Sequence, residues 1–338
     1  MQYDALLIVS FGGPEQKDDV IPFLENVLRG KNVPRERMLQ VAEHYYHFGG
    51  KSPINDQNRA LIAALECEFK THGLALPIYW GNRNWHPMLV DTVRRMQTDG
   101  VRRALAFTTS AFGSYSGCRQ YRENVELARA AAGHGAPEIH KLRAFHNHPG
   151  FIRAMADQVS AALDQVPAPR RASASVVFTA HSIPLSMAET SPYVRQLEES
   201  CRLVCQMLAH TTGPLVYQSR SGPPEQPWLE PDICDYIREL HAGGGATDIV
   251  IVPIGFLSDH MEVLYDLDTE ARALCETLGL NMVRAATVGC HPAFVSMIRE
   301  LVLERTNGAE RRCLGVMGSS PDFCAADCCP TPQRPNKI

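Results

Sequence analysis

Six short apolar runs, set between longer segments of helical pattern, most limit what this chain can fold into. They are "ALLIVSF" (5–11), "LPIYWG" (76–81), "ALAFTTS" (104–110), "SVVFTAH" (175–181), "LVYQS" (215–219) and "DIVIVPI" (248–254). Helices are expected at 18–29, 58–71, 86–98, 118–132, 149–163, 193–208, 231–241, 268–277 and 291–304. Strands alternating with helices in this way indicate βαβ units and parallel sheets.

The runs come in the same order twice. "LLIVSFGGP" resembles "VVFTAHSIP", "PIYWGNR" sits like "LVYQSRS", and "ALAFTTSAFGS" resembles "IVIVPIGFLSD". The spacing differs between the copies, which indicates a structural duplication rather than a sequence repeat. The expected fold is therefore α/β, with two similar doubly wound halves facing each other across a cleft. Residues 1–170 form the first half, 171–305 the second, and 306–338 a cysteine-rich tail. The boundary falls near the proline-containing "DQVPAPRRASA" (164–174).

In such sheets ligands sit outside the carboxyl ends of the strands. Suspicion therefore falls on 10–13, 82–85, 110–115, 181–184, 218–222 and 256–262. His181 ends an apolar strand and meets a helix-hostile "IP". A lone histidine there is more often a hydrogen-bonded turn residue than a catalyst. Its imidazole nevertheless suits a base working near neutrality, or a metal ligand. The equivalent loop of the other half-sheet brings Asp259, His260, Glu262, Asp266, Asp268 and Glu270. If that segment is helical, Glu262, Asp266 and Glu270 line one face. Alone, such a row reads as a solvated acidic surface with mutual repulsion. Leading to an imidazole, it reads as a path of hard oxygen ligands for a divalent cation.

Several function classes drop out. "FGGP" (11–14) lacks the third glycine of a dinucleotide fingerprint, and Ser182 lacks the G-x-S-x-G elbow of a hydrolase. The chain carries 33 Lys and Arg against 37 Asp and Glu, a net charge of −4, without the footprint of a nucleic-acid binder. The first residues show no basic region before their apolar run, so no secretory leader is expected. The longest apolar stretch, "IVIVPIGFL", is too short to span a membrane. A cytoplasmic monomer is expected. Eleven cysteines in a reducing compartment are not a disulfide framework. Four of them, Cys313, Cys324, Cys328 and Cys329, crowd the last 26 residues.

"VVFTAHSIPLSM" together with "PIGFLSDHMEVLYDLD" strongly resembles the ferrochelatases, which insert ferrous iron into porphyrins. "LLIVSFGGPE", "HFGGKSPIN", "GNRNWHP", "TSAFGSYSGCRQYRE" and "PWLEPDI" are similar to family segments in family order, so the likeness runs from about residue 4 to about 305. It implies that His181 faces the porphyrin centre as base or metal ligand, with Glu262 as its partner carboxylate and Asp266 and Glu270 as the acidic row behind. His181 and Glu262 are expected to converge on one tetrapyrrole-sized slot from opposite halves. Phe11 falls where some bacterial members have a tyrosine on the opposite porphyrin face. Whether that face supplies a metal ligand stays open.

Arg29, Ser52 and Tyr121 fall at positions resembling propionate contacts of the compact bacterial enzymes that metallate coproporphyrin III. That substrate is favoured over protoporphyrin IX. A non-catalytic tetrapyrrole or metal carrier and a cobalt or nickel chelatase remain the other readings. Fe2+ is the substrate metal, and transient contact with neighbouring haem-pathway enzymes is expected. Some members hold a [2Fe–2S] cluster on three tail cysteines and one internal cysteine. By resemblance, Cys324, Cys328, Cys329 and Cys118 are that set, with Cys313 in reserve.

Overall fold

The computed structural model describes residues 2–210, 213–222, 225–244 and 247–331. In chain order the elements are β1 (Ala5–Ser10), α1 (Val20–Leu28), α2 (Arg35–His47), α3 (Ile54–Thr71), β2 (Ile78–Asn82), α4 (Leu89–Thr98), β3 (Arg103–Thr108), α5 (Gln120–Ala132), β4 (Glu138–Lys141) and α6 (Pro149–Leu163). The second series is β5 (Ser175–His181), α7 (Leu185–Glu189), α8 (Tyr193–Met207), β6 (Leu215–Gln218), α9 (Ile233–Ala242), β7 (Asp248–Val252), α10 (Met261–Val263), α11 (Arg272–Leu278), β8 (Asn281–Arg284) and α12 (Pro292–Asn307). Two π-helical segments, Tyr115–Arg119 and Leu264–Ala271, open α5 and join α10 to α11.

All strand pairs are parallel, in two four-stranded sheets ordered β2-β1-β3-β4 and β6-β5-β7-β8. The same permutation twice is the duplication expected from the runs. β1 and β7 are buried along their whole length, because each sheet is covered on both faces. Alternate residues serve different cores. Leu6, Ile8, Phe178, Val250 and Val252 point into one apolar core shared by both sheets. Ala5, Leu7 and Val9 face a private outer core, and Val177, Ile249 and Ile251 face another.

The shared core is closed by α6 and α12, which both follow a fourth strand. "HPGF" starts α6 and "HPAF" starts α12. In each, proline takes the first helical position and the preceding histidine Nδ1 accepts a capping N–H, at 3.1 Å from Gly150 and 3.2 Å from Ala293. The helices meet at these starts. A Cβ on Gly150 would lie 2.6 Å from the Ala293 carbonyl oxygen, so only glycine permits the approach. Phe145, Phe151 and Phe294 interlock with Phe107 of β3 around this crossing.

Among the described residues, β4, β8, α2 and the five-residue α7 were not anticipated from the apolar pattern. β4 ("EIHK") and β8 ("NMVR") are four-residue edge strands with one buried side chain each. α2 buries only Met38 and Ala42, too narrow a stripe to show as a helical period.

Candidate functional site

β5 ends at His181, and the chain that follows is pinned on both sides. Ser182 N–H donates to the Gln218 carbonyl at 2.8 Å, and Ser182 Oγ to the Leu229 carbonyl at 2.8 Å. Leu229 N–H then donates to Ile183 at 3.0 Å. With Pro184 unable to donate, the run "HSIP" becomes a braced ledge at the strand end. His181 Nδ1 meets the Ser182 carbonyl at 2.5 Å. A carbonyl only accepts, so Nδ1 carries a proton and Nε2 faces outward.

Nε2 lies 3.5 Å from Glu262 Oε2, and the two side chains are 32% and 49% exposed rather than packed away. Glu262 stands on α10, just beyond β7, which pairs directly with β5. Both residues therefore hang from the second sheet. The expectation that they converge from opposite halves is corrected by the strand order, which sets their two strands side by side.

Electrostatics divide this row of acids. Burial alone would lower the His181 pKa, but Glu262, the Ser182 carbonyl and Asp266 together raise it. Burial would raise Glu262, yet His181, His260 and Lys31 hold it down at about 2. Asp266 is pushed the other way, up to about 7, by burial against the pull of Ser219, with Glu262 and Glu270 adding repulsion. Ser219 Oγ donates to Asp266 Oδ2, and Gln218 Nε2 reaches the same oxygen at 3.2 Å. Ser219 sits at φ 62, a left-handed backbone uncommon outside glycine, so the chain bends to aim this hydroxyl. Burial and then Asp232 raise Glu270. Leu264–Ala271 is wound as a π-helix, whose i→i+5 bonds hold Asp266 and Glu270 on one advancing edge.

The first half supplies a facing wall that the motifs did not reveal. Desolvation and Arg83 lower the Lys31 pKa while Glu262 opposes them, so this ammonium lies within the field of the site. His44 of α2 stacks on Tyr265 of the π-helix at 3.7 Å and 7°. Phe11 packs edge-on to Phe23 at 6.2 Å, and the Arg83 guanidinium lies 5.7 Å from the Phe11 ring. On its other side Arg83 covers the Tyr121 ring at 4.4 Å. Tyr121 is buried in the outer core, Ser52 is buried against Gly13, and Arg29 is exposed at the end of α1, held by Asn26 Oδ1 at 2.5 Å.

The tail folds back over the first half. Cys118, Cys324, Cys328 and Cys329 line one cavity of about 230 Å3, together with Tyr121 and Lys141. Cys328 Sγ and Cys329 Sγ are 3.5 Å apart, with Cys329 at φ 51. A hydrogen bond from Cys324, and then the charge of Lys141, draw Cys118 toward the thiolate despite burial. Cys313 is not among the cavity's residues. Among the described residues, no three His, Cys, Asp or Glu side chains converge on a single metal-ion position. No helix there is long and apolar enough to cross a membrane.

Residues 3–306 match the family described as Ferrochelatase. The chain belongs to that family. A ferrochelatase of Rhodopirellula baltica is 59% identical over 335 residues, covering 98% of this chain and 95% of the relative. A protein of Streptomyces coelicolor named coproporphyrin III ferrochelatase is 53% identical over 352 residues, covering 97% and 93%. The sirohydrochlorin chelatase SirB of Bacillus subtilis, in a structure with cobalt, shares the ferrochelatase architecture at a TM-score of 0.53 and 14% identity, over 91% of this chain and 97% of SirB. That likeness speaks to the fold alone. Lys31 and His44 escaped the sequence reading because an isolated cation or histidine in a loop or polar helix carries no spacing signal, whereas Arg83 lies in the 82–85 strand end already under suspicion.

Proposed function

We propose that this chain is a lyase-class metal chelatase that inserts Fe2+ into coproporphyrin III, giving Fe-coproporphyrin and two protons. The observation that carries the reading is the His181–Glu262 pair, partly exposed at the ends of neighbouring parallel strands and backed by Asp266. His181 Nε2 takes the two pyrrole protons in turn, passing on the first before it accepts the second, while Nδ1 stays bonded to Ser182. Glu262, held ionised, stabilises the imidazolium. Asp266, poised near neutrality, receives the proton for release along Glu270. A cleft that binds the macrocycle distorted turns its pyrrole nitrogens toward this base, so binding strain falls where the barrier lies. His181, Glu262, Asp266 and Glu270 are also assigned to the path of the incoming iron. Arg29, Ser52 and Tyr121 are assigned to propionates, and Phe11 to the opposite porphyrin face. The names of the Streptomyces coelicolor and Nocardia farcinica relatives support coproporphyrin. So do Arg29, Lys31 and Arg83, since four propionates favour a cationic wall.

A resident [2Fe–2S] cluster is part of the proposal. Two thiolates on one tetrahedral metal, with bonds of about 2.3 Å, sit roughly 3.7 Å apart. The Cys328–Cys329 separation of 3.5 Å is compatible with that spacing, and Cys118 with Cys324 forms a second pair. Such a cluster, held by these four, would supply one-electron chemistry or structural cross-linking of the tail. Lys141 would offset its negative charge. The proposal further takes the enzyme to be a cytoplasmic monomer in transient contact with neighbouring haem-pathway enzymes.

Anaerobic assays of the full chain with Fe2+ and either coproporphyrin III or protoporphyrin IX test the reading. A higher kcat/KM for coproporphyrin III is expected. Preference for protoporphyrin IX would reassign the substrate, and tight binding without single-turnover insertion would indicate a carrier.

A further inference from the structure

Helix α8 contributes Leu197, Cys201 and Val204 to the shared core, as an amphipathic helix should. Yet its N-terminal half also buries the polar groups of Tyr193, Gln196, Glu199 and Ser200, at 7, 6, 8 and 0% exposure. A buried polar group is costly unless it is paired. All four are paired, each to a backbone group of a different segment. The Tyr193 hydroxyl donates to the His181 carbonyl at 3.0 Å. Gln196 Oε1 accepts from Gly113 N–H at 2.7 Å, in the loop that leads to Cys118. Glu199 Oε1 accepts from Val316 N–H at 3.0 Å, in the tail that leads to Cys324, Cys328 and Cys329. Ser200 Oγ donates to the His146 carbonyl at 2.8 Å.

Packing repeats the same connections. Phe112, beside Gly113, meets the Tyr193 ring edge-on at 6.3 Å. Ser116, two residues before Cys118, lies 3.7 Å from Met187 Sδ on α7, the short helix just after His181. A Cβ on Gly113 would stand 2.9 Å from Pro192 Cγ, so the loop backbone lies directly against the start of α8 with no room for a side chain between them. Both cysteine-bearing segments and the histidine ledge are thus fastened to one rigid rod.

We infer that α8 is a positioning element coupling the thiol-lined cavity to His181: Tyr193 sets the histidine ledge, while Gln196 and Glu199 tie in the two cysteine-bearing segments. The inference rests on the function proposed above. None of these three residues touches the cleft chemistry, so they act through His181 and through the loops they hold. Coupling between two sites is reciprocal. A porphyrin bound over His181 therefore changes the environment of Cys118.

The test uses the full chain with metal-free coproporphyrin III as probe. Its readout is the iodoacetamide alkylation rate at Cys118 or, where a cluster fills the cavity, the visible circular dichroism of that cluster. Saturating porphyrin is expected to change the alkylation rate by roughly fivefold, the low end of common coupling strengths. Tyr193→Phe and Gln196→Ala should abolish the response with porphyrin Kd within about twofold of the parent, and Gln196→Glu, which keeps an acceptor, should restore it. Tyr193→Phe should also lower kcat roughly tenfold at unchanged KM. A response that survives both variants, or an unchanged kcat in Tyr193→Phe, overturns the coupling. Tyr193→Phe removes a single oxygen, so it keeps the test open should Gln196→Ala fold poorly. A parent that binds no coproporphyrin fails the functional reading and the coupling with it. A parent that binds it with no response at Cys118 fails the coupling alone.

Discussion

His181 Nε2 stands 3.5 Å from Glu262 Oε2 while Nδ1 is fixed on the neighbouring Ser182 carbonyl. One nitrogen is thus committed to structure and the other is left for chemistry. His181→Ala should lower kcat by about 100-fold or more, the usual worth of a positioned general base. Porphyrin affinity should change little, as measured by fluorescence titration. Turnover close to the parent's would remove His181 from the mechanism.

Glu262 raises the His181 pKa, so Glu262→Gln should let the imidazole lose its proton at lower pH. The acid limb of the kcat profile then moves to lower pH, although kcat itself falls roughly tenfold for want of the counter-charge. The ion pair also carries a stability signature. A raised histidine contributes below its unfolded pKa and loses that contribution as pH rises through its folded value. A depressed glutamate contributes above its unfolded pKa and loses it as pH falls toward about 2. Both partners are fully charged between those limits. The stability difference between parent and Glu262→Gln should therefore peak near about pH 5 and shrink above neutrality, as urea midpoints would record.

Asp266 behaves in the opposite sense. Its pKa is raised to about 7, so the folded chain holds a proton there that the unfolded chain releases near pH 4. Stability should fall as pH rises between those values. Asp266→Asn should raise the melting midpoint at about pH 8, leave it unchanged near about pH 4, and delete any inflection near neutrality from the kcat profile. A melting curve for Asp266→Asn that tracks the parent's at every pH would show that this carboxyl is ionised throughout.

The α6–α12 crossing predicts a stability effect far from the cleft. Gly150→Ala drives a methyl into the Ala293 carbonyl, and backbone cannot yield as a side chain does. A loss of about 1–3 kcal/mol is expected, the usual range for overpacking. Phe294→Ala, which leaves a void among Phe107, Phe145 and Phe151, should lose about 3–5 kcal/mol. Urea unfolding at constant m-value is the measurement.

The proposed cluster predicts visible absorbance together with iron and sulfide in anaerobically purified protein. Cys118→Ser should lose all three, whereas Cys313→Ser should keep them, since Cys313 stands apart from the cavity that the other four line. A parent free of iron and sulfide would end the cluster proposal.

Much of this protein was legible in one dimension. The six strong strands and their repetition in two α/β halves follow from apolar runs that must be covered on both faces, whereas the order β2-β1-β3-β4 and β6-β5-β7-β8 came only with the pairing. His181 and the Glu262–Asp266–Glu270 row were visible because strand ends and four-residue spacing are sequence properties. The edge strands β4 and β8 were not visible, since an edge is half-solvated and needs no apolar run. Neither were Lys31 and His44, which act by position alone. Nor does the adjacency of Cys328 and Cys329 announce the left-handed backbone that Cys329 adopts.

Periodicity along the chain thus determined the six apolar strands, most of the helices and the residue types at the strand ends, because burial is a local demand on each segment. Tertiary structure alone decided that His181 and Glu262 share one sheet, that α6 and α12 cross at a glycine, and that α8 touches both the histidine ledge and the cysteine-bearing loops. Those contacts join residues far apart in sequence, and shape complementarity between packed surfaces leaves no period for a sequence to display.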